Sequence, residues 1–130
     1  LLGLAANQPA DTVTKMEDLG IAQYFTYREV SGSINLRKPD PRLLLHACEG
    51  LGVEQHEVIM IGDRIDNDIV PARMLGMAAI RFVSGRHSEQ QPRSWNEAPH
   101  ADVHSVKDLE NAIRRFVANP PNVYGDNGPE

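Results

Sequence analysis

The sequence predicts an α/β fold in which a mostly parallel sheet carries helices on both faces. Two observations lead to this prediction. Short apolar runs with the composition of buried strands alternate with segments whose apolar residues recur at helical spacing. Parallel strands need crossover segments between them, and the helical segments fall where those crossovers are required. At 130 residues the chain has the size of one domain with a substantial core.

The first half of the chain contains two strand-to-helix units. Residues 1–6 form an apolar run that predicts a buried strand, and the next segment predicts a helix that ends at Gly20. Residues 24–30 are rich in β-favouring side chains and predict a second short strand. A further helix begins near Pro41 and ends at the glycines around Gly52.

The second half repeats the alternation. Residues 58–61 predict a strand that is apolar throughout, and a helix follows for which Asp68 is the expected N-cap. Residues 77–83 predict the next strand, and a long polar loop leads to a short final strand in "ADVHS". Ser105 and Asp108 have the spacing of a capping box at the start of the last helix.

Composition excludes several classes of function. The formal net charge of −5 and the scattered basic residues argue against a surface for nucleic acid or anionic membranes. No apolar run approaches the roughly 20 residues that span a bilayer, and we expect a soluble, cytoplasmic protein. The single cysteine, Cys48, excludes an internal disulfide and is expected to be a small core residue.

Both ends of the chain carry information. The sequence begins at Leu1 in the middle of an apolar pattern, which predicts that it is the later part of something longer. Residues 119–130 have the composition of a disordered tail.

Three aspartates follow the strand at residues 58–61. Gly62 allows a sharp turn, and Asp63, Asp66 and Asp68 then come within one short loop at the edge of the sheet where ligands bind. Carboxylates so close together repel one another unless a cation lies among them, and Mg²⁺ prefers such oxygen ligands. The alternative is an exposed acidic turn that caps the next helix.

Two further residues lie at predicted junctions between strand and helix. Lys38 precedes Pro39, which holds it in an extended conformation from which its ammonium group can neutralise a phosphate or a carboxylate. Asn7 follows the first strand at an expected helix start, where backbone N–H groups can face an anion. The alternatives are a solvated surface lysine and an ordinary helix cap.

The order and spacing of Asn7, Lys38 and Pro39, and Gly62 and Asp63 with Asp68, resemble the later three motifs of the haloacid dehalogenase-like (HAD) hydrolase superfamily. The resemblance extends from Leu1 to about Phe116. It implies a Rossmann-like three-layer sandwich, with residues 1–118 forming a partial core domain.

The resemblance assigns a role to each motif residue. Asp63 matches a Mg²⁺ ligand, and Asp68 matches the second acid, which helps to hold the metal and contributes to catalysis; Asp66 is a weaker candidate. Lys38 matches the catalytic lysine that steadies the nucleophile and the transferring phosphate. The family's Ser or Thr of the second motif is replaced by Ala6, which leaves Asn7 and backbone amides to bind the phosphate.

The family's first motif, an Asp-x-Asp at the end of the central strand, has no counterpart here. Asp66, Asn67 and Asp68 have the pattern but lie within the fourth motif. We therefore expect the nucleophile to lie outside this chain and the chain alone to be inactive. The central strand would come from an N-terminal segment or a partner chain, any substrate-selecting cap would precede Leu1, and a homo-oligomer is possible.

By resemblance, the expected function is that of a Mg²⁺-dependent phosphatase acting on a small phosphorylated metabolite through an aspartyl-phosphate. One alternative is the dehalogenase branch, which attacks carbon without a metal, and another is a truncated domain that binds a partner or phosphate without turnover. A phospho-receiver domain is disfavoured, because its acids precede its lysine whereas Lys38 precedes Asp63.

Overall fold

The computed structural model describes residues 1–124, which fall into two compact units, Leu1–Glu54 and the residues from Gln55 onwards. A sheet of parallel strands, with helices between them along the chain, lies in the second unit and confirms the predicted α/β class. Within residues 1–124, no helix has the combination of length and hydropathy that crossing a bilayer requires.

The first unit is mainly helical. Its α-helices are Thr12–Asp18 (α1), Ser31–Ile34 (α2) and Pro41–Leu51 (α3). The best-defined boundaries belong to α3: the Asp40 carboxylate accepts a hydrogen bond from the Arg42 amide at 3.0 Å, and Gly52 ends the helix at a φ of 68°. Leu43, Leu44 and Cys48 are buried along this helix.

The strands predicted at residues 1–6 and 24–30 are not regular strands. The two segments lie side by side, but they form a single parallel bridge between Gly3 and Tyr27, flanked by N–H···O distances of 2.8 and 2.9 Å. The prediction of a buried first strand is also wrong at its beginning, where Leu1 is 88 % exposed. An isolated pair of extended segments is marginal, because extended backbone needs further neighbours to form a stable ladder.

The second unit contains the sheet. Its strands are Ile59–Gly62 (β1), Ala78–Phe82 (β2) and Ala101–Val103 (β3); its α-helices are Val70–Met74 (α4) and Val106–Ala118 (α5). The order is β1-β2-β3, both pairs are parallel, and Gly62 lies opposite Arg81 in the register. The core between the sheet and α5 includes Ile80, Val103 and Phe116.

The first strand of this sheet, β1, lies at the edge. Within the described residues it pairs with β2 on one side only, and Ile61 is 37 % exposed. The predicted strand is confirmed. Within residues 1–124, however, this sheet gives it a neighbouring strand at one edge only.

The predicted helix cap at Asp68 is wrong. A π-helical turn, Ile65–Ile69, precedes α4, and Asp68 lies inside it, with its amide donating to the Arg64 carbonyl at 2.9 Å. Pro71 lies in the first turn of α4, where its missing N–H costs little. By contrast, the predicted cap at Ser105 is confirmed, since its hydroxyl accepts from the Asp108 amide at 3.0 Å.

Part of the predicted disordered tail is described. Val123 packs against the core beside α5, and the ring of Tyr124 lies next to Gly76. Residues 125–130, on which the rest of that prediction falls, lie outside the described residues.

A histidine in the second unit occupies an environment that opposes its protonation. The Nδ1 atom of His100 accepts from the Ala79 amide at 2.9 Å, and its Nε2 atom lies 3.2 Å from the Asn122 carbonyl and 2.7 Å from Nη1 of the buried Arg73. Burial, and then the charge of Arg73, lower the pKa of His100 from 6.5 to about 4.

We expect the free energy of unfolding to fall as the pH falls through this interval. The unfolded chain takes up the proton near pH 6.5 and the folded one only near pH 4, so the contribution of His100 is complete above pH 6.5 and is lost toward pH 4. The loss should be about 1–2 kcal/mol, less than the full value for this shift because the ring is only partly buried.

Urea unfolding at a series of pH values measures this loss. The variant His100→Gln should have a flatter profile between pH 6.5 and pH 4, whereas His104→Gln, at an exposed histidine, should keep the profile of the original chain. Identical profiles for all three chains would contradict the assignment.

Candidate active site

The site residues predicted from the sequence lie in both units. Asn7 and Lys38 belong to the first unit, and Asp63, Asp66 and Asp68 belong to the second. Within each unit, residues of the set are brought into direct contact.

In the first unit, the side-chain amide of Asn7 binds the backbone of Lys38. Its Nδ2 atom donates to the Lys38 carbonyl at 2.9 Å, and its Oδ1 atom accepts from the Lys38 amide at 2.7 Å. On either side of Asn7 the backbone is held by the start of α2, because the amides of Ser31 and Gly32 donate to the carbonyls of Ala6 and Gln8 at 3.0 and 2.9 Å. Asn7 therefore fixes the position from which the Lys38 side chain extends.

The helix start expected next to Asn7 lies farther along the chain. Helix α1 begins at Thr12 with Asp11 as its N-cap residue, so Asn7 precedes the helix by several residues. The structure gives Asn7 a contact with Lys38 rather than a place at a helix N-terminus.

In the second unit, Gly62 and Asp68 pack against each other without intervening space. A Cβ atom on Gly62 would lie 2.4 Å from the Cβ of Asp68, which is too close for any side chain. Asp68 is only 3 % exposed, and its Oδ2 atom accepts hydrogen bonds from the amides of Asp63 and Arg64 at 3.1 and 3.0 Å. These two bonds hold the turn that follows β1.

The carboxylate of Asp66 binds neighbouring side chains. Arg64 donates to it from Nε and Nη2 at 3.1 and 2.6 Å, and Nε2 of Gln90 donates to its Oδ1 at 3.1 Å. The Arg64 guanidinium holds the pKa of Asp66 well below its usual range. Both oxygens of Asp66 therefore already accept hydrogen bonds, which leaves Asp66 a weaker candidate than Asp63 for binding a metal.

The carboxylate of Asp63 differs from those of Asp66 and Asp68 in its surroundings. The residue is exposed, and in the part of the chain that the structure describes its side chain accepts no hydrogen bond. It follows β1 directly, at the carboxyl end of the parallel strands, where ligands bind in open α/β sheets.

These residues fit Mg²⁺, although residues 1–124 contain no cluster of three or more His, Cys, Asp or Glu side chains that could hold a metal. Mg²⁺ commonly takes one or two carboxylates and completes its shell with water and phosphate oxygens. Asp63 offers an exposed carboxylate, and Asp68 orders the backbone that carries it. Asp63 is thus one carboxylate of the kind that this hard cation accepts.

Gln90, in the polar loop after β2, contacts this turn and was not predicted from the sequence. Its side chain binds both Asp66 and the backbone of Ile65, across 24 and 25 residues. A contact over that distance leaves no local pattern in the sequence, and only its position in a loop at the carboxyl end of a strand hints at it.

Comparison with known proteins identifies the family. Residues 35–109 match the family model described as HAD-hydrolase-like. A glyceraldehyde 3-phosphate phosphatase from Methanopyrus kandleri is 31 % identical over 79 % of this chain and 44 % of its own length. The chain thus spans a little under half the length of this curated relative.

Solved structures give the same result. A HAD phosphatase from Thermococcus onnurineus matches with a TM-score of 0.74 and 25 % identity, over 86 % of this chain and 49 % of that one. A 2-haloacid dehalogenase from Pseudomonas syringae matches with a TM-score of 0.66 and 26 % identity, over 78 % and 42 %. Since the family model matches more than half of its residues and the fold agrees, this chain belongs to the HAD-like hydrolase family.

Proposed function

We propose that this chain is the C-terminal part of a Mg²⁺-dependent phosphatase that acts on a small phosphorylated metabolite through an aspartyl-phosphate. The observation that carries the proposal is the turn after β1, in which the buried Asp68 holds the backbone so that Asp63 presents an exposed carboxylate. A relative named as a glyceraldehyde 3-phosphate phosphatase supports the choice of reaction and substrate class. A cytoplasmic location belongs to the same proposal.

The residues of the second unit hold the metal in this proposal. Asp63 is the direct ligand, and Asp68 contributes to the site while keeping the amides of Asp63 and Arg64 in place. When bound, Mg²⁺ offsets the negative charge of the phosphoryl group during its transfer.

The residues of the first unit bind the phosphate. Lys38 supplies a compact positive charge to the phosphoryl oxygens and to the nucleophile. Asn7 sets the backbone of Lys38 through its two hydrogen bonds, and it remains a candidate for direct contact with phosphate through its second amide hydrogen. Ala6 has no hydroxyl, so backbone amides near Asn7 would complete the cradle.

The nucleophile and the central strand lie outside this chain in the proposal, either on an N-terminal segment or on a partner chain, which could be a second copy. Strand β1 is compatible with an added neighbour, because within residues 1–124 it pairs on one side only and exposes Ile61. Backbone donors and acceptors along such an edge can form a ladder with an incoming strand.

A dehalogenase is the second candidate, and the similarity to a 2-haloacid dehalogenase structure favours it. That reaction attacks carbon without a metal. Asp63 exposes a carboxylate that a cation can bind, and a curated relative is named as a phosphatase, so we place the phosphatase first.

Complementation tests the proposed function. We expect the chain alone to be inactive, and the chain fused behind a segment carrying the Asp-x-Asp strand of a phosphatase relative to hydrolyse p-nitrophenyl phosphate only when Mg²⁺ is present. A fusion that folds but releases no nitrophenol would contradict the proposal and favour a binding module. Release of halide from a 2-haloacid without metal would favour the dehalogenase.

In the active fusion, Lys38→Met should lower kcat by about 100-fold or more, since it removes a charge aimed at the phosphoryl group. The matched control is Lys107→Met, at an exposed lysine in α5. Equal kcat values for the two variants would show that the charge of Lys38 has no role in catalysis.

Asn7→Ala should lower kcat about tenfold and the free energy of unfolding by about 1–2 kcal/mol, because the Lys38 amide and carbonyl lose their partner. Asn7→Asp keeps the acceptor for the Lys38 amide but places a carboxylate oxygen against the Lys38 carbonyl, so it should lower kcat and the free energy of unfolding at least as much as Asn7→Ala. Gln8→Ala, at the neighbouring exposed amide side chain, is the control for both measurements. A loss of stability without any loss of kcat would limit Asn7 to a structural role.

A further inference from the structure

The segment after β2 is anchored by a buried arginine. Arg81, level with Gly62 in the sheet register, is 3 % exposed, and its Nη2 atom donates to the Ser88 carbonyl at 2.7 Å. A buried guanidinium is costly to leave without acceptors, so this contact ties the loop firmly to the strand. The start of the loop therefore has a fixed position beside the turn that follows β1.

Local backbone hydrogen bonds fix the chain between Ser88 and Gln90. The chain makes a tight turn at Gly85–His87, after which the Ser88 amide donates to the Gly85 carbonyl and the Gln90 amide donates to the His87 carbonyl, both at 3.2 Å. The side chain of Gln90 extends from this turn toward the acidic loop.

The side chain of Gln90 closes the start of the π-helical turn. Its Oε1 atom accepts from the amide of Ile65 at 2.8 Å, and its Nε2 atom donates to Oδ1 of Asp66 at 3.1 Å. Ile65 is 4 % exposed and is the first residue of the turn, where an amide has no partner within the helix. Gln90 satisfies this buried donor from another part of the chain.

An amide side chain can make both contacts at once. The Ile65 amide needs an acceptor and the Asp66 carboxylate needs a donor, and glutamine offers both at its end. With Arg64 it holds the Asp66 carboxylate, while Asp68 holds the amides of Asp63 and Arg64. Side chains of Asp68, Arg64 and Gln90 thus hold residues 63–66, at the start of the loop between β1 and α4.

We infer that Gln90 is a positioning residue for the metal site: its clamp on Ile65 and Asp66 keeps Asp66 away from the metal and holds Asp63 as the carboxylate that binds it. The inference rests on the proposed function. The test measures the hydrogen bonds of Gln90 in the absence of metal, and separately their effect on the affinity for Mg²⁺.

The test compares Gln90→Met with Gln91→Met in the chain fused behind the Asp-x-Asp segment, as in the complementation experiment. Gln90→Met keeps the length of the side chain but makes neither hydrogen bond, and Gln91 is the adjacent exposed glutamine. Gln90→Met should weaken Mg²⁺ binding, measured by calorimetry well below the unfolding temperature, by about tenfold or more, as removal of groups that orient a ligand does. Gln91→Met should bind like the fused chain without substitutions.

Amide hydrogen exchange of Ile65, followed by NMR in metal-free buffer, tests the clamp itself. Exchange should be at least tenfold faster in Gln90→Met than in Gln91→Met. The variant Gln90→Asn keeps the amide group on a side chain that is one methylene shorter, so it should also exchange faster than Gln91→Met, which provides a second reading if Gln90→Met folds poorly.

The possible failures are distinguishable. If the fused chain without substitutions binds Mg²⁺ and Gln90→Met binds it equally well, or if Ile65 exchanges at the same rate in both, the inference is overturned while the proposed function stands. If the fused chain without substitutions binds no Mg²⁺, the proposed function is overturned and the inference with it. A fall in stability with unchanged Mg²⁺ affinity would make Gln90 merely structural.

Discussion

The buried carboxylate of Asp68 is the constraint on which the candidate site depends. Its Oδ2 atom accepts the amides of Asp63 and Arg64, and it occupies the space that a side chain on Gly62 would need. A buried charge is tolerated only when hydrogen bonds compensate for lost water, so the turn and the carboxylate stabilise each other. The π-helical turn places Asp68 for this contact, in line with the frequent occurrence of such turns at functional sites.

Local signals in the sequence predicted the elements whose ends are made by local contacts. Helix α3 begins at an aspartate that caps it and ends at a glycine with positive φ, and Ser105 caps α5 as expected. The strands β1, β2 and β3 were predicted to within a residue or two. Residues 1–6 were predicted as a strand and form one bridge, because strand formation depends on neighbours that local composition does not specify.

The residues of the candidate site, too, were predicted where local signals mark them and missed where packing decides their partners. Asp63, Asp68 and Lys38 were identified because they follow or precede recognisable elements and match the motifs of a family. The manner in which Asp68 acts was not predicted, because an aspartate that caps the helix ahead and one that binds the turn behind it occupy the same kind of position in a sequence. Gln90 and Arg81 were missed because their partners are set by the packing of the loop on the sheet.

Calorimetric titration with Mg²⁺ of the chain fused behind the Asp-x-Asp segment tests the central claim most directly, using Asp63→Asn and, as a control, Glu89→Gln at another exposed carboxylate of the same unit. The account predicts binding of one Mg²⁺ that Asp63→Asn abolishes and Glu89→Gln leaves unchanged. Binding that survives Asp63→Asn, or the absence of any binding by the fused chain without substitutions, would contradict it.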